Sequence, residues 1–284
     1  MMRRNRADDP DHGVELLWRE RDDGSRPALT LDRIVRAAVE VADAEGLAGL
    51  SMRKVAERLG FTTMSLYRHV PGREHLVDLM RDAALGEPPP EPAAKGGWRP
   101  RLETCVRQGW EVRRRHPWLG EIRGTRHLPG PNSVAHYERM LSIVAGTGLA
   151  PAEVIAAIEL VGRFVDAEAQ VLVEVARAER SSGVSEQEWW GARDSLYARL
   201  GSYPTITYLW EAGGFDEPED PFEFGLARVL DGIELLVRRR DETRDESLAC
   251  QLCGNPVEQS ASGRPRAYCS RACQQRAYRK RRSG

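Results

Sequence analysis

Long apolar runs and the motifs of common enzymes are both missing from this 284-residue chain. No apolar segment approaches the roughly 18–20 residues that cross a bilayer, so we expect no contact with a membrane. The first residues, Met1 to Asp11, are polar and charged, which argues against a secretory signal and predicts a cytoplasmic protein. A phosphate-cradling glycine-rich loop, an H-E-x-x-H pair and a G-x-S-x-G elbow are absent as well, so the sequence predicts no enzyme.

A large excess of charge of one sign is also lacking. The whole chain carries a formal net charge of −1, so its total charge gives no argument for a nucleic-acid partner. The distribution is nevertheless uneven, because from Cys250 onward eight arginine or lysine residues accompany one acidic residue, Glu258. The remaining composition, with 41% hydrophobic and 30% charged residues in the whole chain, is typical of a folded globular protein.

Apolar residues recur at helical spacing along most of the chain, and strand-like alternation is almost missing. Glycines at positions 46 and 60 are suited to helix ends. The spacing predicts helices over 30–46, 51–59, 63–69, 73–85, 98–115, 133–146, 151–180, 185–200, 203–212 and 221–240. We therefore predict an all-α protein.

A tight turn joins two of the short predicted helices, 51–59 and 63–69. Gly60 can adopt the positive φ that such a turn requires. The second helix begins with small polar residues that could approach base edges, and Tyr67, Arg68 and His69 could reach phosphates. Arg53 in the preceding helix could form two hydrogen bonds with a guanine. The pattern is typical of a helix-turn-helix, although an ordinary helical hairpin with solvated charges has the same outline.

Residues 50–76, LSMRKVAERLGFTTMSLYRHVPGREHL, closely resemble the DNA-binding domain of the TetR family of bacterial regulators. The similarity extends over about residues 30–80, with the elements S-M-R-K-V-A, L-G, S-L-Y-R-H-V and G-R-E-H-L in the family's order. The resemblance implies a three-helix DNA-binding unit, completed by a connecting helix, that binds a palindromic double-stranded operator as a homodimer. The DNA-binding residues expected from it are Ser51, Arg53, Thr62, Thr63, Met64, Ser65, Tyr67, Arg68, His69 and Arg73. Among them, Thr63, Met64 and Ser65 would lie at base edges.

The resemblance also implies a helical second domain that binds a small-molecule effector and dimerises. The segments 222–236 and 116–118 resemble the subgroup nearest the tetracycline repressor. Effector pockets combine apolar walls with a few polar anchors, and the candidates of these types are Trp110, His116, Trp118, His127, Tyr137 and Phe164. Aromatic residues at helical spacing are more often part of a core, so that interpretation stays open. The expected function is a repressor that an unidentified small molecule releases from DNA.

Four of the five cysteines form two close pairs near the C-terminus. Cys250 and Cys253 form a C-x2-C pair, and Cys269 and Cys273 form a C-x3-C pair fifteen residues later. Four thiolates in two short pairs are a ligand set of structural zinc, and a segment this small needs a metal in order to fold. The tail also resembles small zinc-ribbon or treble-clef-like modules. A zinc- or redox-responsive regulator that senses through these cysteines is the alternative.

These predictions divide the chain into six segments. They are a flexible basic arm (1–29), a helix-turn-helix DNA-binding domain (30–85), a linker (86–97), a helical effector-binding and dimerisation domain (98–240), a tether (241–249) and a zinc-binding basic tail with a zinc-knuckle-like fold (250–284). The basic residues that end the tail could contact phosphates or remain solvated. An activator or an architectural DNA-binding protein stays an alternative to a repressor.

Overall fold

A computed structural model describes residues 11–19, 29–87, 96–122, 127–216, 219–247, 249–257 and 266–282. Within these residues there are thirteen α-helices and one 3-10 helix, and the only extended pairing is an isolated bridge between Ala249 and Pro256. The all-α prediction is confirmed. No described helix combines the length and the apolar character that are needed to span a bilayer.

The helices form an N-terminal unit, a helical domain and a small C-terminal module. The N-terminal unit contains α1 (His12–Leu17), α2 (Leu31–Gly49), α3 (Met52–Leu59), α4 (Thr63–Tyr67) and α5 (Arg73–Leu85). The helical domain contains α6 (Trp98–Arg115), the 3-10 helix Pro117–Glu121, α7 (Pro131–Ala145), α8 (Pro151–Ser182), α9 (Glu186–Gly191), α10 (Asp194–Leu200), α11 (Pro204–Glu211) and α12 (Pro221–Ser247). The C-terminal module contains α13 (Arg271–Arg282).

Local chemistry sets the helix ends in the N-terminal unit. Thr30, Ser51 and Thr62 each accept a hydrogen bond from the backbone N–H three residues later, and so cap α2, α3 and α4. Gly46 and Gly60 have φ angles of 71° and 72°, which side chains with a Cβ rarely adopt. Gly60 thereby makes the turn between α3 and α4, and Gly46 interrupts α2 near its C-terminal end.

The helices enclose two main apolar cores. The first core is formed by α1 to α5, but it also includes Val112 of α6 and Trp118 of the 3-10 helix. The second core lies among α6, α7, α8 and α12, around fully buried residues such as Leu102, Ile158 and Leu230. Because Trp118 belongs to the helical domain yet packs in the first core with 1% of its surface exposed, the N-terminal unit and the helical domain share apolar packing.

The structure corrects the prediction that the whole segment 1–29 is a flexible arm. Its residues 12–17 form α1, because Leu16 and Leu17 are buried against the N-terminal unit next to α5. The rest of the arm, apart from residues 11, 18, 19 and 29, lies outside the described residues, as do residues 88–95 of the predicted linker.

Two further boundaries differ from the predictions. The predicted tether 241–249 is helical as far as Ser247, because the polar end of α12 contains no glycine or proline that would stop it. The helix predicted over 185–200 is divided into α9 and α10, which are separated at Ala192 and Arg193 after Gly191. Gly191 is a weak helix former, which explains why the helix breaks there.

Candidate functional site

The predicted base-reading residues lie on α4 and at its ends. Met64 is 73% exposed and Tyr67 is 45% exposed, whereas Leu66 between them is fully buried and holds the helix on the first core. The Thr62 and Ser65 hydroxyl oxygens are 2.9 Å apart, and Arg68 donates a hydrogen bond of 3.2 Å to Ser65. The structure therefore brings together Thr62, Thr63, Met64, Ser65, Tyr67 and Arg68.

Ser51 and Arg53, also expected at the DNA, lie at the start of α3. The Ser51 hydroxyl accepts a hydrogen bond of 3.2 Å from the Lys54 N–H, so it serves as the helix cap. Arg53 is exposed and its Nε lies 2.7 Å from a Glu57 carboxylate oxygen, a hydrogen bond that raises the pKa of Arg53. An exposed pair of this kind is weak, so it does not prevent the guanidinium from turning to DNA.

Arg73 and His69 follow α4 in the chain. The guanidinium of Arg73 donates hydrogen bonds of 2.7 and 3.2 Å to the carbonyls of Leu47 and Leu50, so it also fixes the turn between α2 and α3. His69 is half-buried, and burial together with Arg19 and Arg68 lowers its pKa. A neutral imidazole still carries one N–H that can be donated to a phosphate.

A buried histidine connects the N-terminal unit with the helical domain. His116 is 4% exposed, its Nδ1 lies 2.7 Å from a carboxylate oxygen of Asp43 in α2, and its Nε2 lies 3.0 Å from Glu87. Trp118 donates a hydrogen bond of 2.7 Å to the same Asp43 oxygen. Burial lowers the pKa of His116, but the hydrogen bonds that its ring donates to the Asp43 and Glu87 carboxylates outweigh burial, so the net pKa is raised. The end of α6 is therefore fixed against α2.

Asp82 in α5 makes a second connection to the helical domain. Its buried carboxylate accepts hydrogen bonds of 3.3 and 2.8 Å from the backbone N–H groups of Asn132 and Ser133, and of 3.1 and 3.0 Å from their side chains. The first turn of a helix has unpaired N–H donors and the positive end of the helix dipole. Asp82 of α5 thus caps the N-terminus of α7, a role that a residue of the same chain segment usually has. This role of Asp82 was not predictable from the sequence, because a carboxylate within a helix ordinarily faces solvent.

The room for this carboxylate depends on Gly130. A Cβ atom at position 130 would lie 2.4 Å from the Asp82 carboxyl carbon, which is closer than atoms can approach. The φ angle of Gly130 is −86°, so its backbone conformation is accessible to any residue. The requirement for glycine at this position is therefore one of space alone.

Two of the predicted effector residues lie together in the helical domain. Trp110 stacks on Phe222 with ring centroids 4.4 Å apart, and Phe164 lies 5.7 Å from the same ring. A Cβ at Gly225 would come within 2.4 Å of the Phe164 ring, so this glycine lets α12 approach α8 closely. Trp110 and Phe164 form one aromatic cluster with Phe222. Phe222 was not among the predicted effector residues.

The other predicted effector residues lie elsewhere. His116 and Trp118 occupy the junction with α2. His127 Nδ1 lies 3.0 Å from a carboxylate oxygen of Asp78 in α5, and Tyr137 is 40% exposed on α7. The six candidates therefore do not converge on a single cavity.

A polar cavity of about 130 Å³ lies between the end of α5, α6 and α7. Burial, followed by the charges of Arg113 and Arg139, lowers the pKa of His136 in its wall to about 4, so this imidazole is neutral at pH 7. Its wall also contains Val112 and Asn132, and Asn132 is bonded to Asp82. The wall therefore combines apolar side chains with several polar groups, which could fix the orientation of a small molecule. A single sequence offers no pattern that distinguishes His136 from any other helical histidine.

The four predicted metal ligands form a cluster in the C-terminal module, with all sulfur atoms within 4.8 Å of one another. The Sγ–Sγ distances are 3.5 Å for Cys253–Cys269, 3.6 Å for Cys269–Cys273 and 3.7 Å for Cys253–Cys273. These exceed the length of about 2.05 Å of a disulfide. They are close to the edge of about 3.8 Å of a tetrahedron whose zinc–sulfur bonds are about 2.3 Å long.

The backbone of the module explains how the cysteines meet. Gly254, with a φ of 74°, reverses the chain after Cys253 and donates a hydrogen bond of 2.8 Å to the Cys250 carbonyl. Cys273 lies in the first turn of α13. Neighbouring thiols, that of Cys253 first, raise the pKa of Cys269, whereas backbone hydrogen bonds, that of Cys269 first, lower the pKa of Cys250.

An exposed recognition helix, α4, in the N-terminal unit, joined to a helical second domain, defines a DNA-binding regulator with a helix-turn-helix. Residues 34–80 match the family profile of bacterial regulatory proteins, tetR family. Residues 89–237 match the profile of the tetracyclin repressor-like C-terminal domain. The chain belongs to the TetR family of transcriptional regulators, as predicted, and this family does not consist of enzymes.

Relatives of the chain bear names consistent with this family. The HTH-type transcriptional repressor DrrR1 of Streptomyces coeruleorubidus is 42% identical over 235 residues, which cover 80% of this chain and 86% of the relative. An HTH-type transcriptional regulator of Saccharopolyspora erythraea is 33% identical over 201 residues, which cover 69% and 81%. Among solved structures, the TetR family protein ActR of Streptomyces coelicolor in complex with actinorhodin is 32% identical, with a TM-score of 0.59 over 73% of this chain and 96% of that chain.

Proposed function

We propose that this protein is a cytoplasmic repressor that binds a palindromic operator as a homodimer and leaves it when a small molecule enters the helical domain. The observation that carries this proposal is the double connection of the DNA-binding unit to the helical domain, through His116 and through Asp82. A relative that is named a transcriptional repressor supports repression over activation.

The recognition surface assigned to DNA consists of α4 and the residues that surround it. Thr63, Met64 and Ser65 contact base edges in the major groove, where the exposure of Met64 suits contact with a thymine methyl group. Tyr67, Arg68 and His69 contact phosphates and fix the register of the helix. Ser51 and Thr62 present the N-terminal ends of α3 and α4 to the backbone, because both side chains are engaged as caps.

The dimer is assigned to α8 and α12, which pack against each other in the second core. Leu160 and Val171, eleven residues and so about three turns apart, lie exposed on one face of α8. Phe224 and Leu235 have the same spacing on an exposed face of α12. Two such faces from each protomer can bury one another around a two-fold axis.

The effector site is assigned to the cavity beside His136. Pockets for drug-sized ligands measure about 300–1,000 Å³, so a cavity of about 130 Å³ must widen when a ligand enters. Widening moves α7 away from α6, and α7 is bonded at its N-terminus to Asp82 of α5. The motion is thereby carried into the DNA-binding unit, where it changes the spacing of the two recognition helices of the dimer. Complexes of ActR with actinorhodin and with (S)-DNPA support a small-molecule effector.

The cysteine cluster is assigned to a structural zinc ion, held by Cys250, Cys253, Cys269 and Cys273. The sulfur–sulfur distances and the small size of the module support this assignment. Four protein ligands leave no open coordination position, so the ion would stabilise the fold without taking part in a reaction.

The function is tested by sequencing genomic DNA that the purified full-length protein captures at moderate salt. We expect a short inverted repeat next to a few genes. If the captured genomic fragments share no sequence motif, the proposal is overturned, because the protein then binds DNA only non-specifically.

Effector release is then tested on that inverted repeat by gel shift, with actinorhodin and tetracycline as probes. Arg139→Met in the cavity should change the concentration of probe that releases the protein, whereas Arg199→Met on the exposed face of α10 should not. Equal responses of the two variants would place the effector elsewhere.

A further inference from the structure

The C-terminal module carries a concentration of positive charge that the rest of the chain lacks. From Cys250 to the end there are eight basic residues and one acidic residue, a net charge of +7. The chain as a whole has a net charge of −1, so residues 1–249 carry −8. Positive charge that is confined to one small module is typical of a nucleic-acid contact, and it is separate from the recognition surface on α4.

The structure places this charge on the exposed sides of α13. Arg271, Gln275, Tyr278 and Arg279 follow the spacing i, i+4, i+7 and i+8, so they share one face of the helix. All four are exposed, with Tyr278 at 58%, while Cys273 on the other side is buried in the cysteine cluster. The cluster thus fixes the orientation of α13 and turns this face outward.

The exposed residues of α13 favour duplex DNA over other anionic surfaces. Membrane-bound helices need an apolar face, and Tyr278 is the only large apolar side chain exposed on the described part of α13. Single-stranded nucleic acid is held by several aromatic platforms, and α13 offers one. Arg276, Lys280 and Arg281 add exposed cations on further sides of the helix. A helix of this width fits the major groove, where such cations can reach the phosphates of both strands.

The direction of α12 separates α13 from the recognition helix. Arg107 pairs with Glu223 and Arg99 pairs with Asp231, so α12 runs antiparallel to α6. His116, just after α6, contacts the DNA-binding unit, so the C-terminal part of α12 leads away from that unit. Ser247 follows Glu223 by 24 residues, which is about 36 Å of helix. Cys250 follows Ser247 by three residues, and its sulfur atom lies within 4.8 Å of that of Cys273, so α13 begins near this end of α12. Because α13 is only about 18 Å long, it stays away from the duplex that α4 holds.

We propose that α13 is a second, sequence-independent DNA-binding element, which holds a duplex other than the operator. Its ligand is the phosphate backbone of double-stranded DNA. This duplex is either a distant part of the DNA molecule that carries the operator or a separate DNA molecule. A repressor with this element joins its operator to a second DNA segment. The proposal goes beyond operator binding, and it rests on the proposed zinc site for the orientation of α13.

The test uses full-length protein, with the metal content of every preparation measured, and the double variant Arg271→Gln, Arg279→Gln. The matched control is Arg180→Gln, Arg199→Gln, which removes two exposed arginines from α8 and α10. Affinity for a random-sequence 20-base-pair duplex is measured against salt concentration. Each phosphate contact contributes about 0.9 to the slope of log affinity against log salt, so the tail variant should lose about 1.8 of that slope and the control none.

A second measurement follows bridging directly. An immobilised operator duplex is loaded with protein, and capture of a fluorescent random-sequence duplex is recorded. Wild type and control should capture it, and the tail variant should fall to background while it still binds the operator.

Equal slopes and equal capture by the two variants would overturn the proposal. So would a preference of the tail for single-stranded RNA or for vesicles of anionic phospholipid, offered as competitors. If protein without zinc still shows the two tail-dependent effects, α13 binds DNA without the metal, and only the dependence on the zinc site is overturned. If no operator emerges from genomic capture, the salt slope still decides whether α13 binds DNA.

Discussion

His116 and Asp43 are joined by a contact of 2.7 Å across the boundary between the helical domain and the DNA-binding unit. Glu87 lies on the other ring nitrogen, so a protonated His116 is held between two carboxylates in a buried position. The arrangement makes the strength of this junction depend on the protonation of one side chain.

We predict that the junction weakens as the pH rises. The pKa of His116 in the folded protein is raised above 6.5, so its contribution to the free energy of unfolding is complete below pH 6.5 and is lost as the pH passes the folded value. His136, with a pKa of about 4, stays neutral over this range. Urea unfolding of wild type and His116→Gln should show a larger stability difference at pH 6 than at pH 9. A difference that grows with pH would contradict this account.

Gly130→Ala should disrupt the link between α5 and α7. The new Cβ would displace the Asp82 carboxylate and leave buried N–H donors of α7 unpaired, at a cost of about 1–3 kcal/mol in unfolding free energy. The response of operator binding to an effector should weaken as well. Gly146→Ala, at the opposite end of α7, is the control, because its Cβ meets nothing closer than 3.7 Å. Chemical denaturation and gel shift measure both effects, and equal behaviour of the two variants would exclude a coupling role for Asp82.

Tyr67→Phe and Met64→Ala should affect DNA binding in different ways. Loss of the Tyr67 hydroxyl removes a phosphate contact and should weaken binding to operator and random duplexes alike. Loss of the Met64 side chain removes a base contact and should cost about 1–3 kcal/mol on the operator only, with relaxed preference at one base pair. Binding to a library of single-base operator variants distinguishes the two. A uniform loss for Met64→Ala would remove that residue from base recognition.

The purified protein should contain one zinc ion per chain, measured by elemental analysis. Cys269→Ser with Cys273→Ser should abolish it, whereas Cys105→Ala should retain it, because Cys105 is buried in the helical domain. Release from the operator by a small molecule should persist in the double variant. Its loss would instead favour a regulator that senses zinc or oxidation through the module.

Leu235→Glu should convert the dimer into monomers. A carboxylate at this exposed position of α12 would have to be desolvated in the proposed interface, and its partner copy would bring the same charge. Analytical ultracentrifugation measures the change, with Val134→Glu on α7 as a control of similar exposure. An unchanged dimer would move the interface away from this face.

Features set by short stretches of sequence were predictable here. The turn at Gly60 follows from the glycine itself, and the cysteine cluster follows from the spacing of the two pairs. The junction was not predictable, because Asp43 and His116 are separated by 73 residues and meet only through packing. His116 was expected in an effector pocket because of its residue type alone.

The position of Trp118 in the core of the DNA-binding unit has a consequence for protein engineering. A chain cut after α5 would lose this indole and expose the apolar residues of the first core that it covers. The first five helices are therefore not expected to form a stable DNA-binding domain by themselves. Grafting them onto a foreign sensor should fail unless the donor segment 117–122 travels with them. The N-terminal unit and the helical domain should likewise unfold in one calorimetric transition, because each loses shared core packing when the other unfolds.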